Sequence, residues 1–282
     1  MQTDHPRIVA IQNKADEMAA KRDVDYERYK ENDLIWGLVP KCRITQIEFP
    51  RISKEIIDRY LALDDMTSDV SDILDSMGIC GAVSATRLPP LAPGMKAAGT
   101  ACTIRNLPER KAVYEGYVNA GYPLMSTRDS YHIGQPGDIL CVDFGGNVDV
   151  SCMGGMSINV AQTWGFAANI VNGCVRDVDT ILKTGYPVWS VGKTQQTGKF
   201  RLEAVELNGP INMCGIRIEA GDLVLADGSG ICVVPPELVE VVLEKAEGFQ
   251  KHEEKLYALI KSHCTLSELR PLVRARYDVK KQ

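Results

Sequence analysis

Residues 154–179 read GGMSINVAQTWGFAANIVNGCVRDVD. A glycine pair opens this stretch, Gly165 divides it, and an Arg-Asp pair follows Gly173. GGMSINVAQTWG (154–165) reads as a helix bounded by glycines, and FAANIVN (166–172) as a buried strand. Gly173 then turns the chain, and RDVDTILKTG (176–185) reads as a short helix stopped by Gly185. The first helix climbs roughly 16 Å at about 1.5 Å per residue. The strand returns roughly 20 Å at about 3.3 Å per residue. The displacements nearly cancel, so Arg176 and Asp177 are expected beside the helix start at Gly154–Ser157.

Outward from this unit the same alternation continues. GDILCVDF (137–144) reads as a buried strand broken by Gly145 and Gly146, and AGTACTIRNL (98–107) as another. PVWSVG (187–192) adds a strand, and residues 215–235 resemble three short strands joined by glycine turns. SKEIIDRYLAL (53–63), TSDVSDILDSMG (67–78) and residues 235–261 read as helices, the second capped by Thr67 or Ser68 and the third opened by Pro235 or Pro236. Residues 108–136 show no clear period. Strands alternating with helices, plus a run of antiparallel-looking strands, predict a layered α/β domain. The expected organisation is an N-terminal helical extension over 1–50, a main domain over 51–265, and a C-terminal tail over 266–282.

The 282 residues are 45% hydrophobic and 24% charged, which excludes a disordered chain. A net charge of -5 gives no support for nucleic-acid binding, which shows as a basic stripe. Apolar runs are too short to span a bilayer, and the N-terminal residues lack a basic-then-apolar signal. The expected location is the cytoplasm, with no membrane or nucleic-acid partner. Nine cysteines without a C-x-x-C pair read as small buried hydrophobes in a reducing compartment. Four scattered histidines give no zinc pattern.

A helix start led by glycines offers free N–H groups that suit a carboxylate. Arg176 adds a two-pronged donor, and Asp177 one hard oxygen ligand. Amides, a guanidinium and a metal around one pocket fit a small 2-oxo acid. The alternative is a surface Arg-Asp pair on a first helical turn, where an acid is favoured anyway.

Two other motifs fail on inspection. VGKT (191–194) lacks the upstream glycine of a phosphate loop and follows strand-like residues. GMSIN (155–159) departs from a nucleophile elbow at Asn159, and no strand is expected to run into it. His132 reads as structural rather than as a base, and Asp179 as a solvated first-turn acid.

GDILCVDFGGN, GGMS, NGCVRDVD, GYPVWSVG and GDLVLADGSGICVVPPE follow one another in the order found in the RraA-like family (regulator of ribonuclease activity A), which the chain resembles over roughly 67–260. That family includes metal-dependent 4-hydroxy-4-methyl-2-oxoglutarate aldolases. The resemblance implies a β/β/α sandwich of the swivelling-domain kind. It also implies a homotrimer or homohexamer with active sites between subunits. It assigns substrate binding to Gly154, Gly155, Met156, Ser157 and Arg176, and a divalent metal, Mg²⁺ or Mn²⁺, to Asp177. The Gly155-x20-Arg176-Asp177 interval agrees with the aldolase motif. Thr180 stands where that motif has an acid, and the tetrad lacks an acidic second residue. The implied function is lyase chemistry on a carboxylate substrate: retro-aldol cleavage to pyruvate, or decarboxylation of an oxaloacetate-like acid. A non-catalytic regulator of an RNA-processing enzyme, and a lyase or hydrolase of another small acid, are the alternatives.

Overall fold

The computed structural model describes residues 5–119, 121–125 and 127–279. Of the expected extension and tail, residues 1–4 and 280–282 lie outside the described residues. The helices are α1 (Pro6–Glu31), α2 (Lys54–Leu61), α3 (Met66–Ser76), α4 (Val113–Val118), α5 (Thr127–Ile133), α6 (Gly155–Thr163), α7 (Val178–Thr184), α8 (Val239–Lys261) and α9 (Leu266–Val279). The strands are β1 (Ala82–Ser84), β2 (Ala97–Pro108), β3 (Ile139–Met153), β4 (Ala168–Val175), β5 (Val188–Lys193), β6 (Leu202–Leu207), β7 (Ile211–Met213), β8 (Ile216–Ile218), β9 (Leu223–Ala226) and β10 (Gly230–Val234).

The long strand β2 joins two halves of one sheet, ordered β1-β10-β9-β2-β3-β4-β5. Its first residues pair antiparallel with β9, and its later ones pair parallel with β3 and antiparallel with β6. β3, β4 and β5 run parallel. Side chains alternate across each strand, and that period of two makes the layers. Leu223, Leu225, Cys232 and Val234 pack under α2, α3 and α8. Their neighbours Val224, Ala226, Ile231 and Val233 share a second core with Ile139, Cys141, Ala168 and Ile170 of β3 and β4. The opposite face of β3 and β4, through Leu140, Val142 and Val171, packs on α5, α6 and α7. The layered α/β class is as expected. The two halves of the sheet meet face to face, with helices outside each.

Several local expectations are corrected. Gly145 and Gly146 do not end β3; they take positive φ angles inside it, where the pairing with β4 slips register. Gly173 does not turn the chain but lies within β4, where a Cβ would stand 2.8 Å from the Cys152 sulfur. Asp65, not Thr67 or Ser68, is the N-cap of α3, because the Thr67 hydroxyl and amide both donate to Asp227. β1, β6 and β7 arise where no strand was expected. The C-terminal residues form α9, whose Leu272 carbonyl bonds His252 at 2.8 Å. Cys42 and Cys80 are exposed, unlike the six buried cysteines.

The first fifty residues feed the main body. Val39, Ile44, Ile47 and Phe49 are buried in the α5–α7 core. Arg51 pairs with the buried Asp138 at 3.1 Å, tying the chain entering α2 to the start of β3. Among the described residues no helix is long and apolar enough to cross a membrane.

Candidate functional site

The site forms where two parallel neighbours end together. Met153 is in register with Val175, the last residues of β3 and β4. The Arg176 N–H donates to the Met153 carbonyl at 3.0 Å, so Gly154 and Arg176 leave the sheet side by side. α6 begins at once after Gly154, and α7 after Asp177. Crevices beyond the carboxyl ends of parallel strands are where α/β proteins bind ligands.

Asp177 occupies the N-cap position of α7 yet caps nothing there. Its φ of 56° lies in the left-handed region, uncommon for a residue with a Cβ. Its carboxylate crosses to the neighbouring helix, where Oδ2 accepts the Gly155 N–H at 3.0 Å. Arg176 Nε stands 3.6 Å from the same oxygen. The glycines are needed for this approach. A Cβ on Gly154 would stand 2.5 Å from Asp177 Oδ2 and 2.8 Å from Arg176 Cγ. One on Gly155 would meet the Thr180 methyl at 2.8 Å. Thr180, the departure from the aldolase motif, thus packs against Gly155.

A cavity of about 230 Å³ opens here, bordered by Gly154, Met156, Ser157, Arg176 and Asp177. That is below the roughly 300–1,000 Å³ of drug-sized pockets, and suits a small acid. The structure brings together all six residues singled out in the sequence. One expectation needs amendment: the Gly155 amide is occupied by Asp177, and of the first turn of α6 only the Met156 and Ser157 amides meet no acceptor among the described residues.

Two cations on the cavity wall were missed in the sequence. Arg128 comes from α5 and Lys199 from the loop before β6. With Arg176 they outnumber Asp177, the single lining carboxylate among the described residues, so the cavity favours an anion. Residues 108–136 have no period to flag Arg128, and Lys199 lies in a polar loop; neither carries a local signal.

Ser157 is not a nucleophile of the elbow type. β3 does run straight into α6, contrary to expectation, but among the described residues no histidine or carboxylate bonds the serine. Its hydroxyl donates to Thr127 Oγ1 at 3.1 Å and lies 3.3 Å from the Tyr131 hydroxyl. Asn169 donates to that tyrosine at 2.6 Å and accepts from Tyr186 at 2.9 Å. Burial pushes the Tyr131 phenol up to about 12, so it stays protonated and orients Ser157. His132 bonds the Arg128 carbonyl and packs on Trp164, a structural role. VGKT lies in and just after β5, and Asp179 is exposed on the first turn of α7.

Fold and site together define a family. Residues 67–233 match the RraA-like family, described as Aldolase/RraA, and the chain belongs to it. It is 30% identical over 204 residues to Protein DlpA of Legionella pneumophila, covering 72% of this chain and 32% of that one. The chain therefore spans about a third of that relative's length. It is 28% identical over 193 residues to a Halalkalibacterium halodurans protein named "Putative 4-hydroxy-4-methyl-2-oxoglutarate aldolase", covering 67% of this chain and 81% of that one. An uncharacterized protein from Pseudomonas syringae, known from its crystal structure, superposes with a TM-score of 0.65 at 27% identity, covering 79% of this chain and all of that one.

Proposed function

We propose that the protein is a divalent-metal-dependent lyase acting on a small 2-oxo acid. It would cleave the acid by a retro-aldol reaction with release of pyruvate, or decarboxylate an oxaloacetate-like acid. The observation that carries this reading is the convergence of the α6 start with Arg176 and Asp177 on one cavity. The name of the H. halodurans relative supports the aldolase side of it.

The donor set decides which metal fits. Among the described residues no group of three or more His, Cys, Asp or Glu could hold an ion. Asp177 Oδ1 makes no hydrogen bond among the described residues, while Oδ2 is held by Gly155. One open carboxylate oxygen beside a cavity fits a hard ion such as Mg²⁺ or Mn²⁺, with water and substrate completing its shell, and not a zinc site. Held by Asp177, the ion would supply charge stabilisation at the keto oxygen of the bound acid.

The chain's own groups bind and orient. Arg176 and the Met156 and Ser157 amides take the carboxylate of the acid. Met125, Met153 and Val160 give the cavity apolar walls that limit water. Among the described residues no histidine lines the cavity, so the proton moved when the carbon–carbon bond breaks would travel by water.

The proposed assembly is a homotrimer or homohexamer with the site at a subunit boundary. Tyr114 and Tyr122 are 75% and 73% exposed, and Tyr122 borders the cavity, where a neighbouring copy would cover it. Nine unpaired cysteines support a cytoplasmic location.

The test is a panel of 2-oxo acids with Mg²⁺ or Mn²⁺, scored for pyruvate and CO₂. Metal-dependent turnover of at least one acid, abolished by EDTA, is expected. EDTA-treated protein that turns over the acid as fast as metal-loaded protein would contradict the reading.

A further inference from the structure

The N-terminal segment between α1 and α2 reaches the cavity. Leu38 is part of its wall, beside Arg128 and Met156. The segment is fastened there by a buried acid. Asp129, 1% exposed, accepts the consecutive N–H groups of Gly37, Leu38 and Val39 at 3.0, 2.9 and 3.0 Å. Gly37 makes the bend with a φ of +83°. Three amides converging on one carboxylate fix the loop to α5.

The same loop holds Arg128, the residue preceding Asp129. The Arg128 guanidinium lies 5.1 Å from the centroid of the Trp36 ring. Nη2 reaches the Met156 sulfur at 3.4 Å, a weak acceptor in the α6 first turn. Trp36 is itself packed edge-on against His132 of α5, with ring centroids 6.0 Å apart. No carboxylate pairs with Arg128 among the described residues. A half-buried guanidinium held by a ring and a thioether at the rim of an anion-binding cavity keeps most of its donors unused.

We propose that the N-terminal segment is part of the substrate site: Trp36 and Asp129 hold Arg128 as the clamp for a second anionic group at the far end of the acid. The inference rests on the functional reading above, in which Arg176 takes the near carboxylate. Arg128 touches the substrate and sets selectivity for two-ended acids; Trp36 and Asp129 are positioning residues. Arg176 and Arg128 stand on different elements, so the two ends of the acid are gripped independently.

Titration calorimetry of the full chain in excess Mg²⁺ tests this, with 2-oxoglutarate as the two-ended probe and pyruvate as the one-ended probe. Wild type is expected to prefer 2-oxoglutarate, and Arg128→Met to lower that preference about 10- to 100-fold. Arg128→Lys keeps the charge without the planar stack and is expected to fall between. Arg176→Met is expected to weaken both acids together. Trp36→Leu should lower the preference about threefold, and Trp36→Phe should restore most of it, a rescue that loss of packing alone does not predict. A preference unchanged within twofold in Arg128→Met overturns the inference. Wild type that binds pyruvate with no preference for 2-oxoglutarate overturns it too, while the functional reading stands. Wild type that binds neither acid overturns both.

Discussion

Asp143 sits inside β3 and Asp177 just past the end of its parallel neighbour β4, and the two do opposite things. Asp143 is 7% exposed and accepts the Gly145 amide at 2.9 Å, the Asn172 side chain at 2.9 Å and the Asn212 amide at 3.2 Å. It braces the β7–β8 hairpin against the sheet. Asp177 keeps one oxygen without a hydrogen bond among the described residues, stands beside Arg176, and has a left-handed backbone. The cavity at Asp143 measures about 620 Å³, far larger than the one at Asp177. Size does not mark the site; unsatisfied donors and acceptors around an open space do.

Breaking each half of this contrast should give opposite signatures. The largest effect is expected from Arg176→Ala, which removes the near anchor of the acid and should lower kcat/KM by about 10²–10³-fold with the fold retained. Steady-state kinetics on the acid found in the panel, beside a thermal melt, checks it. Gly154→Ala places a methyl 2.5 Å from Asp177 Oδ2 and should cost about 10²-fold through misplacement of the Arg-Asp pair. A variant with wild-type kinetics would show that the close approach is not needed.

Asp143→Ala should do the reverse. It leaves the buried Asn172 amide and two part-buried backbone N–H groups without this acceptor and should lower unfolding stability by about 2 kcal/mol in urea melts, with turnover per folded molecule unchanged. Asp177→Ala should lose activity and cost about 1 kcal/mol or less, since a single hydrogen bond to Gly155 is lost.

The gentlest test uses a third carboxylate, far from either cavity's chemistry. Burial pushes Asp222, at the foot of β9, up to about 6 from 3.8. The folded state therefore binds this proton more tightly than the unfolded chain. Its contribution is fully present below about pH 4 and is lost as pH rises through 6. Asp222→Asn should be more stable than wild type by about 1–2 kcal/mol at pH 7, the shift being discounted for partial solvation, and the gap should close by pH 4. Melts across that range measure it.

The glycine pair and the Arg-Asp pair were legible because a helix and a strand of nearly equal reach connect them, which fixes where their ends meet. Arg128 was not, because what places it is a loop ninety residues earlier in the chain, bonded through Asp129. Strand β3 appeared to stop at Gly145 because two positive-φ residues and register slips interrupt its alternation. Gly173 looked like a turn because a glycine needed for contact with Cys152 is indistinguishable in sequence from one needed for φ. Short strands β1 and β6 are fixed by partners distant in sequence, and β7 by the neighbouring β8 of a tight hairpin, rather than by their own pattern.

Loss of the free Mn²⁺ paramagnetic resonance signal on titration with protein reports ion binding without reference to any substrate. Wild type and Asp143→Asn should take up about one ion per chain, and Asp177→Asn should take up far less at the same concentrations. Equal uptake by Asp177→Asn and wild type would contradict the assignment of the ion to Asp177.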